Sequence, residues 1–163
     1  MMAKLVNIVL GFIIITSTCS WAEVKPLHIQ ADTMEAFQDQ NVIVFKGNVK
    51  ASQNGLELYA DLMKLFYTKF KKSDSQKDLG KMVERVEAEG HVVITQENRK
   101  ALGEKAVFYR LPEEKIILTG NAQIEEQQNL ILGEEITILL KENTMIIKGT
   151  PVKATIYPKN FPQ

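Results

Sequence analysis

Four carboxylates that each follow a small residue are the side chains whose types and spacing could do chemistry. They occur in the pairs Ala31-Asp32, Ala60-Asp61, Gly103-Glu104 and Gly133-Glu134. Two carboxylates held a few ångströms apart could act as the acid and base of a glycoside hydrolase, and Asp61, Glu104 and Glu134 would be the first to test. A catalytic group is rarely needed four times, so we favour a structural role. In that role each carboxylate accepts backbone N–H hydrogen bonds at a corner of the chain.

The other reactive side chains predict no enzyme. His28 and His91 lie far apart, each beside alternating apolar and polar residues, and we interpret them as solvent-facing strand residues. Cys19 is the single cysteine, and the sequence has no serine–histidine–acid arrangement, phosphate-binding glycine loop or zinc-ligand spacing. We therefore expect no catalytic residue, no metal and no cofactor.

The composition indicates a folded domain without a strong net charge. The chain has 163 residues, of which 45% are hydrophobic, with 20 basic and 20 acidic side chains. A protein that binds nucleic acid by neutralising phosphates would normally be basic. We therefore expect no nucleic-acid partner.

Residues 1–22 have the features of a cleavable secretory signal peptide. Lys4 supplies a positive start, residues 5–15 form an apolar run, and small residues occupy the first and third positions before the expected cut. The apolar run would span roughly 16 Å as a helix, about half of a ~30 Å hydrocarbon core. An uncleaved anchor and a lipoprotein modified at Cys19 are the alternatives. Cleavage would leave an exported domain of residues 23–163.

Four glycines divide this expected domain into about four repeats of roughly 30 residues each. Gly47, Gly90 and Gly120 are each followed 13 residues later by a pair of a small residue and an acid. The fourth glycine, Gly149, departs from the pattern because Pro151 interrupts the alternation, and we interpret it as a bulge near the end of the sheet. A polar stretch near 69–81 accounts for one longer spacing as a loop insertion.

The hydrophobic pattern within each repeat has a period of two, which is typical of β-strands rather than helices. Phe45, Val49 and Ala51 alternate with polar residues, and Asn54-Gly55 is a strong signal for a tight turn. The sequence therefore predicts an all-β protein of short antiparallel strands. A glycine within such alternation usually marks a bend or a bulge, so stacked repeats would bend the sheet along one line of glycines.

These repeated residues resemble the OstA-like family of lipopolysaccharide transport, and within it the members that form a periplasmic bridge. The resemblance covers residues 25–157. The matching stretches are Pro26-Leu27-His28-Ile29-Gln30-Ala31-Asp32, Phe45-Lys46-Gly47-Asn48-Val49, Tyr59-Ala60-Asp61 and Leu118-Thr119-Gly120-Asn121-Ala122. It implies a twisted, V-shaped open β jelly roll with an apolar groove between two sheets.

The resemblance also implies a function and a site. The chain would carry lipopolysaccharide across the periplasm by shielding its acyl chains, and protomers would stack end to end through the edge strands. Its partners would be lipopolysaccharide and the inner-membrane-anchored and outer-membrane OstA-like proteins. The residues expected to bind lipid are Leu27, Ile29, Phe45, Val49, Leu58, Val92, Ile94, Tyr109, Leu111, Leu118 and Ile124.

Two other classes of function stay open from the residues alone. One is a structural β-repeat protein without a ligand, in which the same apolar residues close a dry core. The other is a carrier of a different amphiphile. The lysines of the stretch 69–81 could meet phosphates or acidic sugars, but a solvated loop is the simpler interpretation.

Overall fold

The computed structural model describes residues 26–68 and 83–158, and these residues form strands joined by turns. The ten strands are β1 (His28–Gln30), β2 (Thr33–Phe37), β3 (Val42–Gln53), β4 (Leu56–Tyr67), β5 (Val83–Gln96), β6 (Arg99–Tyr109), β7 (Lys115–Glu126), β8 (Asn129–Leu139), β9 (Thr144–Lys148) and β10 (Lys153–Thr155). The all-β prediction is confirmed. The expected signal peptide and the 69–81 insertion lie outside the described residues.

All ten strands belong to one antiparallel sheet in which β3 to β8 pair in sequence order. At one edge β1 and β2 both pair with β3, and at the other edge β9 and β10 both pair with β8. Each edge is therefore made of two short strands that lie end to end. The two edges are not paired with each other, so the sheet is open.

A line of β-bulges crosses the sheet where the glycines lie. Gly47, Gly90 and Gly120 have φ values of 77–79°, and the residue after each glycine also has a positive φ. The register shifts at these positions, so that two residues of β3, β5 or β7 oppose one residue of the neighbouring strand. Such an insertion bends the bulged strand and increases its twist. The prediction of one line of bends is confirmed, and we call it the fold line.

The fold line divides the sheet into two halves. Half-sheet A consists of residues 33–46, 62–67, 83–89, 105–109, 115–119, 135–139 and 144–148. Half-sheet B consists of residues 28–30, 49–53, 56–60, 92–96, 99–103, 122–126, 129–133 and 153–155. The fourth repeat differs from the expectation of a bulge, because Gly149 lies in a break between β9 and β10.

The two half-sheets pack against each other through their apolar faces. One core cluster joins Ala88, Ala106, Leu118 and Ile136 of half-sheet A to Val92 and other residues of half-sheet B. A second cluster joins Phe45, Met63 and Leu65 to Val49 and Ala51 in the same way. The sheet is therefore folded into a V whose inner faces are apolar.

Candidate apolar groove

The inner faces of the V enclose a cavity of about 530 Å³. Half-sheet B and the β3–β4 turn contribute Ala51, Ser52, Gln53, Asn54, Leu56, Leu58, Ile94 and Gln96 to its lining, together with Leu27 just before β1. Half-sheet A and its adjoining turns contribute Met63, Leu65, Val83, Val86, Ala88, Ala106, Phe108, Arg110, Glu114, Ile116 and Leu140. Because both halves line it, the cavity depends on the angle that the fold line sets.

The row of side chains next to the fold line forms a closed core, and three of its members, Met63, Ala88 and Ala106, also line the cavity. In half-sheet A this apex row runs through paired residues from Phe45 to Met63, Ala88, Ala106, Leu118 and Ile136. All six are buried, with Leu118 1% and Ile136 0% exposed. This row holds the two half-sheets together at the base of the V.

The next row outward lines most of the cavity. Leu65, Val86, Phe108 and Ile116 are successive register partners across β4 to β7, and all four line the cavity. Ala51, Leu58 and Ile94 form the facing row of half-sheet B. We call these residues the middle row. Aliphatic and aromatic surface in this position can solvate a hydrocarbon chain.

The outermost row carries the charged and amide side chains of the cavity, interspersed with Leu27, Leu56 and Leu140. Gln53, Asn54, Gln96, Arg110 and Glu114 lie at the rim of the cavity, where strands end and turns begin. The V therefore has a buried apex, an apolar middle row and a rim that contains all the charged side chains of the described lining. This order of layers matches an amphiphile with its chain inside and its head group at the rim.

The structure brings only part of the expected lipid-binding set into the cavity. Leu27, Leu58 and Ile94 line it. Ile29 and Ile124 continue the middle row of half-sheet B, beyond the cavity, since Ile29 pairs with Ala51 and Ile124 with Ala101. The expected residues of the apex core are Phe45, Val49, Val92 and Leu118, which are 1–9% exposed.

Tyr109 and Leu111 lie elsewhere, for a reason of strand geometry. Phe108 and Arg110 line the cavity, so alternation places Tyr109 on the opposite face of β6, where the Lys115 ammonium lies 5.8 Å from its ring. Leu111 is 62% exposed in the turn that follows. Phe108 and its register partners Val86 and Ile116, which line the cavity, were not among the expected residues. Their signal was present as apolar alternation, but the face could not be assigned without the register.

The four repeated carboxylates lie on the fold line and not in the cavity. Asp32 accepts a hydrogen bond from Asn48 Nδ2 at 2.8 Å, and Glu104 accepts one from Asn121 Nδ2 at 3.4 Å. Asp61 Oδ2 lies 2.8 Å from His91 Nδ1. Within the described ranges, the expected backbone N–H partner is found only for Glu134, which accepts from Thr150 N at 3.2 Å. At the other three sites the partner is the side chain that follows the bulge glycine.

His91 confirms the solvent-facing interpretation, since its side chain is 92% exposed. His28 is also exposed. Within residues 26–68 and 83–158, no group of three or more potential ligands could hold a metal ion. No helix in this same part of the chain is long and apolar enough to cross a membrane.

Ion pairs between neighbouring strands stabilise the outer face of half-sheet A. Lys105 Nζ lies 2.9 Å from Glu89 Oε1, and Lys148 Nζ lies 2.8 Å from Glu135 Oε1. The hydrogen bond from Lys105 lowers the pKa of Glu89, and the pKa of Lys105 is raised by the same bond. The charged side chains thus lie mainly outside the V, and the apolar ones inside it.

Comparison with known proteins supports this description of the fold. The lipopolysaccharide export system protein LptA of Escherichia coli K12 is 29% identical to this chain over 145 residues, covering 84% of this chain and 74% of the relative. The same protein of Shigella flexneri matches with the same values. The crystal structure of LptH, described as the LptA-homologous periplasmic component of the lipopolysaccharide transport device of Pseudomonas aeruginosa, has a TM-score of 0.67 at 20% identity, covering 82% of this chain and 96% of that one.

The likeness to LptH confirms the expected fold, an open, V-shaped β jelly roll. The family described as "LptA/(LptD N-terminal domain) LPS transport protein" matches residues 28–144. The resemblance first seen in the glycine and alanine–aspartate pairs is therefore confirmed, and the chain belongs to this family of lipopolysaccharide transport proteins.

Proposed function

We propose that this chain is a periplasmic lipopolysaccharide carrier that shields acyl chains between its two half-sheets. The observation that carries the proposal is the apolar cavity of about 530 Å³ between the middle rows. A ligand-free structural repeat is not favoured, because its inner face would be filled by its own side chains and because the relatives are lipopolysaccharide transport proteins. The fold-line carboxylates give no support to a hydrolytic role, since each is engaged with its own partner beside a bulge.

The cavity volume limits how much lipid one protomer can shield. One water molecule takes up about 30 Å³ of liquid, and a methylene group is of similar size, so the cavity accommodates roughly one long acyl chain. Burying each methylene group contributes about 0.8 kcal/mol. A lipid with several acyl chains therefore fits best in a groove that continues from one protomer into the next.

The two open edges have the geometry that such continuation needs. β9 and β10 run opposite to β8, and β1 and β2 run opposite to β3, so a copy translated along the sheet would add antiparallel strands to the far edge. If the register continued across this proposed joint, Ile147 would lie beside Met34 of the next copy and Ala154 beside Ile29. The apolar rows would then continue without interruption, and Met34, 62% exposed here, would become covered.

The remaining parts of the proposal concern export and partners. Residues 1–22 would direct export and be removed, which leaves a single domain of residues 23–163 in the periplasm. The same edge strands would join this domain to the inner-membrane-anchored and outer-membrane OstA-like proteins.

Binding of fluorescent lipopolysaccharide to purified residues 23–163 tests the proposal. We expect saturable binding that unlabelled lipopolysaccharide displaces and that a soluble sugar without acyl chains does not displace. A folded β protein that binds no lipopolysaccharide would favour the ligand-free alternative. Displacement by an unrelated amphiphile at lower concentration than lipopolysaccharide would favour a different cargo.

A further inference from the structure

Arg110 is an unusual residue for an apolar cavity. Among the described residues that line the groove, it is the only cation and Glu114 is the only carboxylate. The two lie on either side of the turn between β6 and β7, directly after Tyr109 and directly before Lys115, which are register partners. Side chains two residues apart on a strand share a face, so Arg110 points into the V as Phe108 does. The strand geometry, and not an irregular loop, therefore determines the position of Arg110 at the rim.

Among the described residues, Arg110 has neither a carboxylate partner nor an aromatic ring beside its guanidinium, whereas Arg85 and Arg99 each have one or the other. Arg110 Nε is buried and makes no hydrogen bond to any of the described residues. Arg85 Nε is likewise buried without a hydrogen bond, but it lies 3.1 Å from Glu87 Oε1, and the Arg85 guanidinium lies 4.0 Å from the Phe66 ring centroid. Arg99 Nε donates to Glu126 at 2.8 Å. Buried donors are nearly always paired in folded proteins. An unpaired arginine that faces a binding groove therefore points to a group supplied by the ligand.

The two carboxylates nearest to Arg110 in the register do not form an ion pair with its guanidinium in the described part of the chain. The backbone N–H of Arg110 donates to the carbonyl oxygen of Glu84 at 3.0 Å, while the carboxylate of Glu84 accepts a hydrogen bond from Thr68 at 3.0 Å. Glu114 and Glu84 both flank Arg110 across the strands, yet neither carboxylate forms an ion pair with it in the described part of the chain. Lys115 points to the other face, over the Tyr109 ring.

We propose that Arg110 binds an anionic group, phosphate or carboxylate, on the head group of the amphiphile whose chain lies between the half-sheets. The inference rests on the proposed function and adds an orientation and a specificity residue to it. A guanidinium recognises such anions with two parallel hydrogen bonds. Glu114 beside it disfavours a second anion and can accept hydroxyl or amide donors of the same head group.

A matched pair of single-chain lipids tests this inference: 1-myristoyl lysophosphatidic acid and 1-monomyristoylglycerol, which share the acyl chain and differ by the phosphate. Competition against a fluorescent acyl probe gives both affinities. Arg110→Gln should weaken binding of the phosphate lipid roughly tenfold to a hundredfold and change the neutral lipid less than about twofold. Glu114→Gln should have the opposite effect on affinity and strengthen binding of the phosphate lipid. Arg99→Gln, an exposed arginine paired with Glu126, is the control and should change neither.

Several outcomes would overturn the inference, and they differ from failure of the proposed function. If the wild-type protein binds both lipids and Arg110→Gln weakens them equally or not at all, Arg110 has no role in anion recognition although the groove binds chains. If inorganic phosphate displaces the phosphate lipid at millimolar concentration and Arg110→Gln abolishes that effect, the site takes free phosphate rather than a lipid head group. If neither lipid binds the wild-type protein, the proposed function itself fails. Should Arg110→Gln not fold, unchanged affinity in a folded Glu114→Gln variant would contradict the proposal.

Discussion

The carboxylate of Asp61 occupies the space that a side chain at Gly90 would need. A Cβ on Gly90 would lie 2.3 Å from Asp61 Oδ2, well inside van der Waals contact. Gly47 stands in the same relation to Asp32, and Gly120 to Glu104. The repeated glycine and the repeated acid therefore act together. Because the glycine has no side chain, the carboxylate can reach the side chain of the residue that follows the glycine. This arrangement recurs at the three bulges of the fold line, where the sheet bends between the two half-sheets.

Gly90→Ala should destabilise the fold more than Gly55→Ala. Both glycines have a φ of 79°, so both substitutions force an L-residue into a left-handed conformation at a cost of about 1–2 kcal/mol. A Cβ at Gly55 would meet nothing within 4 Å, whereas one at Gly90 would meet Asp61. We expect the additional clash to cost about 2 kcal/mol or more, measured by urea unfolding. Equal losses at the two positions would show that the carboxylate does not constrain the bend.

Leu118→Ala and Phe108→Ala should separate stability from binding. Leu118 is 1% exposed in the apex row, so its truncation should cost about 2–5 kcal/mol of unfolding free energy. Phe108 is half-buried in the middle row, so its truncation should cost less stability but reduce lipopolysaccharide affinity. Urea melts and a fluorescence binding assay give both quantities. Loss of affinity in Leu118→Ala with Phe108→Ala unaffected would mean that the apex and not the middle row contacts lipid.

The Glu89–Lys105 pair should add a small pH dependence to stability. Because Lys105 lowers the pKa of Glu89, the stabilisation is complete above the ordinary glutamate pKa of about 4.3. It is lost as the pH falls through the lowered value. The raised pKa of Lys105 has the opposite sign: its contribution is present below about pH 10.4 and is lost as the pH rises through that raised value. The pair is partly exposed, so we expect less than about 1 kcal/mol.

Thermal melts of the wild-type protein and Glu89→Gln between pH 2 and pH 7 check this prediction. The two curves should differ most at neutral pH and converge at the acidic end. A gap that stays constant down to pH 2 would assign the effect to packing of Glu89 rather than to its charge.

A pair of cysteines tests the end-to-end joint and its register. Met34→Cys in one copy and Ile147→Cys in another should form an intermolecular disulfide under mild oxidation, because the proposed continuous ladder would put these residues opposite each other on the inner face. Met34→Cys mixed with Lys148→Cys is the control, since Lys148 points to the outer face, where it pairs with Glu135. Equal yields for the two mixtures would contradict the proposed register.

The fold line could be predicted from the sequence because its residues are chemically distinctive. A glycine with positive φ and an acid at a fixed distance from it can be recognised without knowing the fold, and together they located three bends correctly. The partner of each acid was less predictable. A short carboxylate can bond a backbone N–H or a nearby side chain, and only the register shows that Asn48, His91 and Asn121 are within reach.

The faces of the even-numbered strands could not be predicted, because alternation reverses at the fold line. On β6, Ala101 packs against the inner core. Further along the strand, Ala106 belongs to that core and Phe108 lines the cavity. Ala101 and Ala106 both face inward although they are separated by an odd number of positions. This happens because β6 lacks the extra bulge residue that β5 and β7 carry. Strict alternation from Ala101 would place Tyr109 inside. A shift of one residue exchanges the two faces of a strand. The inward direction of Phe108 and Arg110 therefore could not be predicted from alternation alone.

The most direct measurement places a photo-crosslinking amino acid at position 108 or at position 109 of purified residues 23–163 and adds labelled lipopolysaccharide. The two positions are adjacent on β6 but face opposite sides of half-sheet A, so local sequence and distance from the chain ends are matched. We expect strong crosslinking at 108 and almost none at 109. Crosslinking at 109 as strong as at 108, or none at either position in a folded protein, would contradict a lipid groove inside the V.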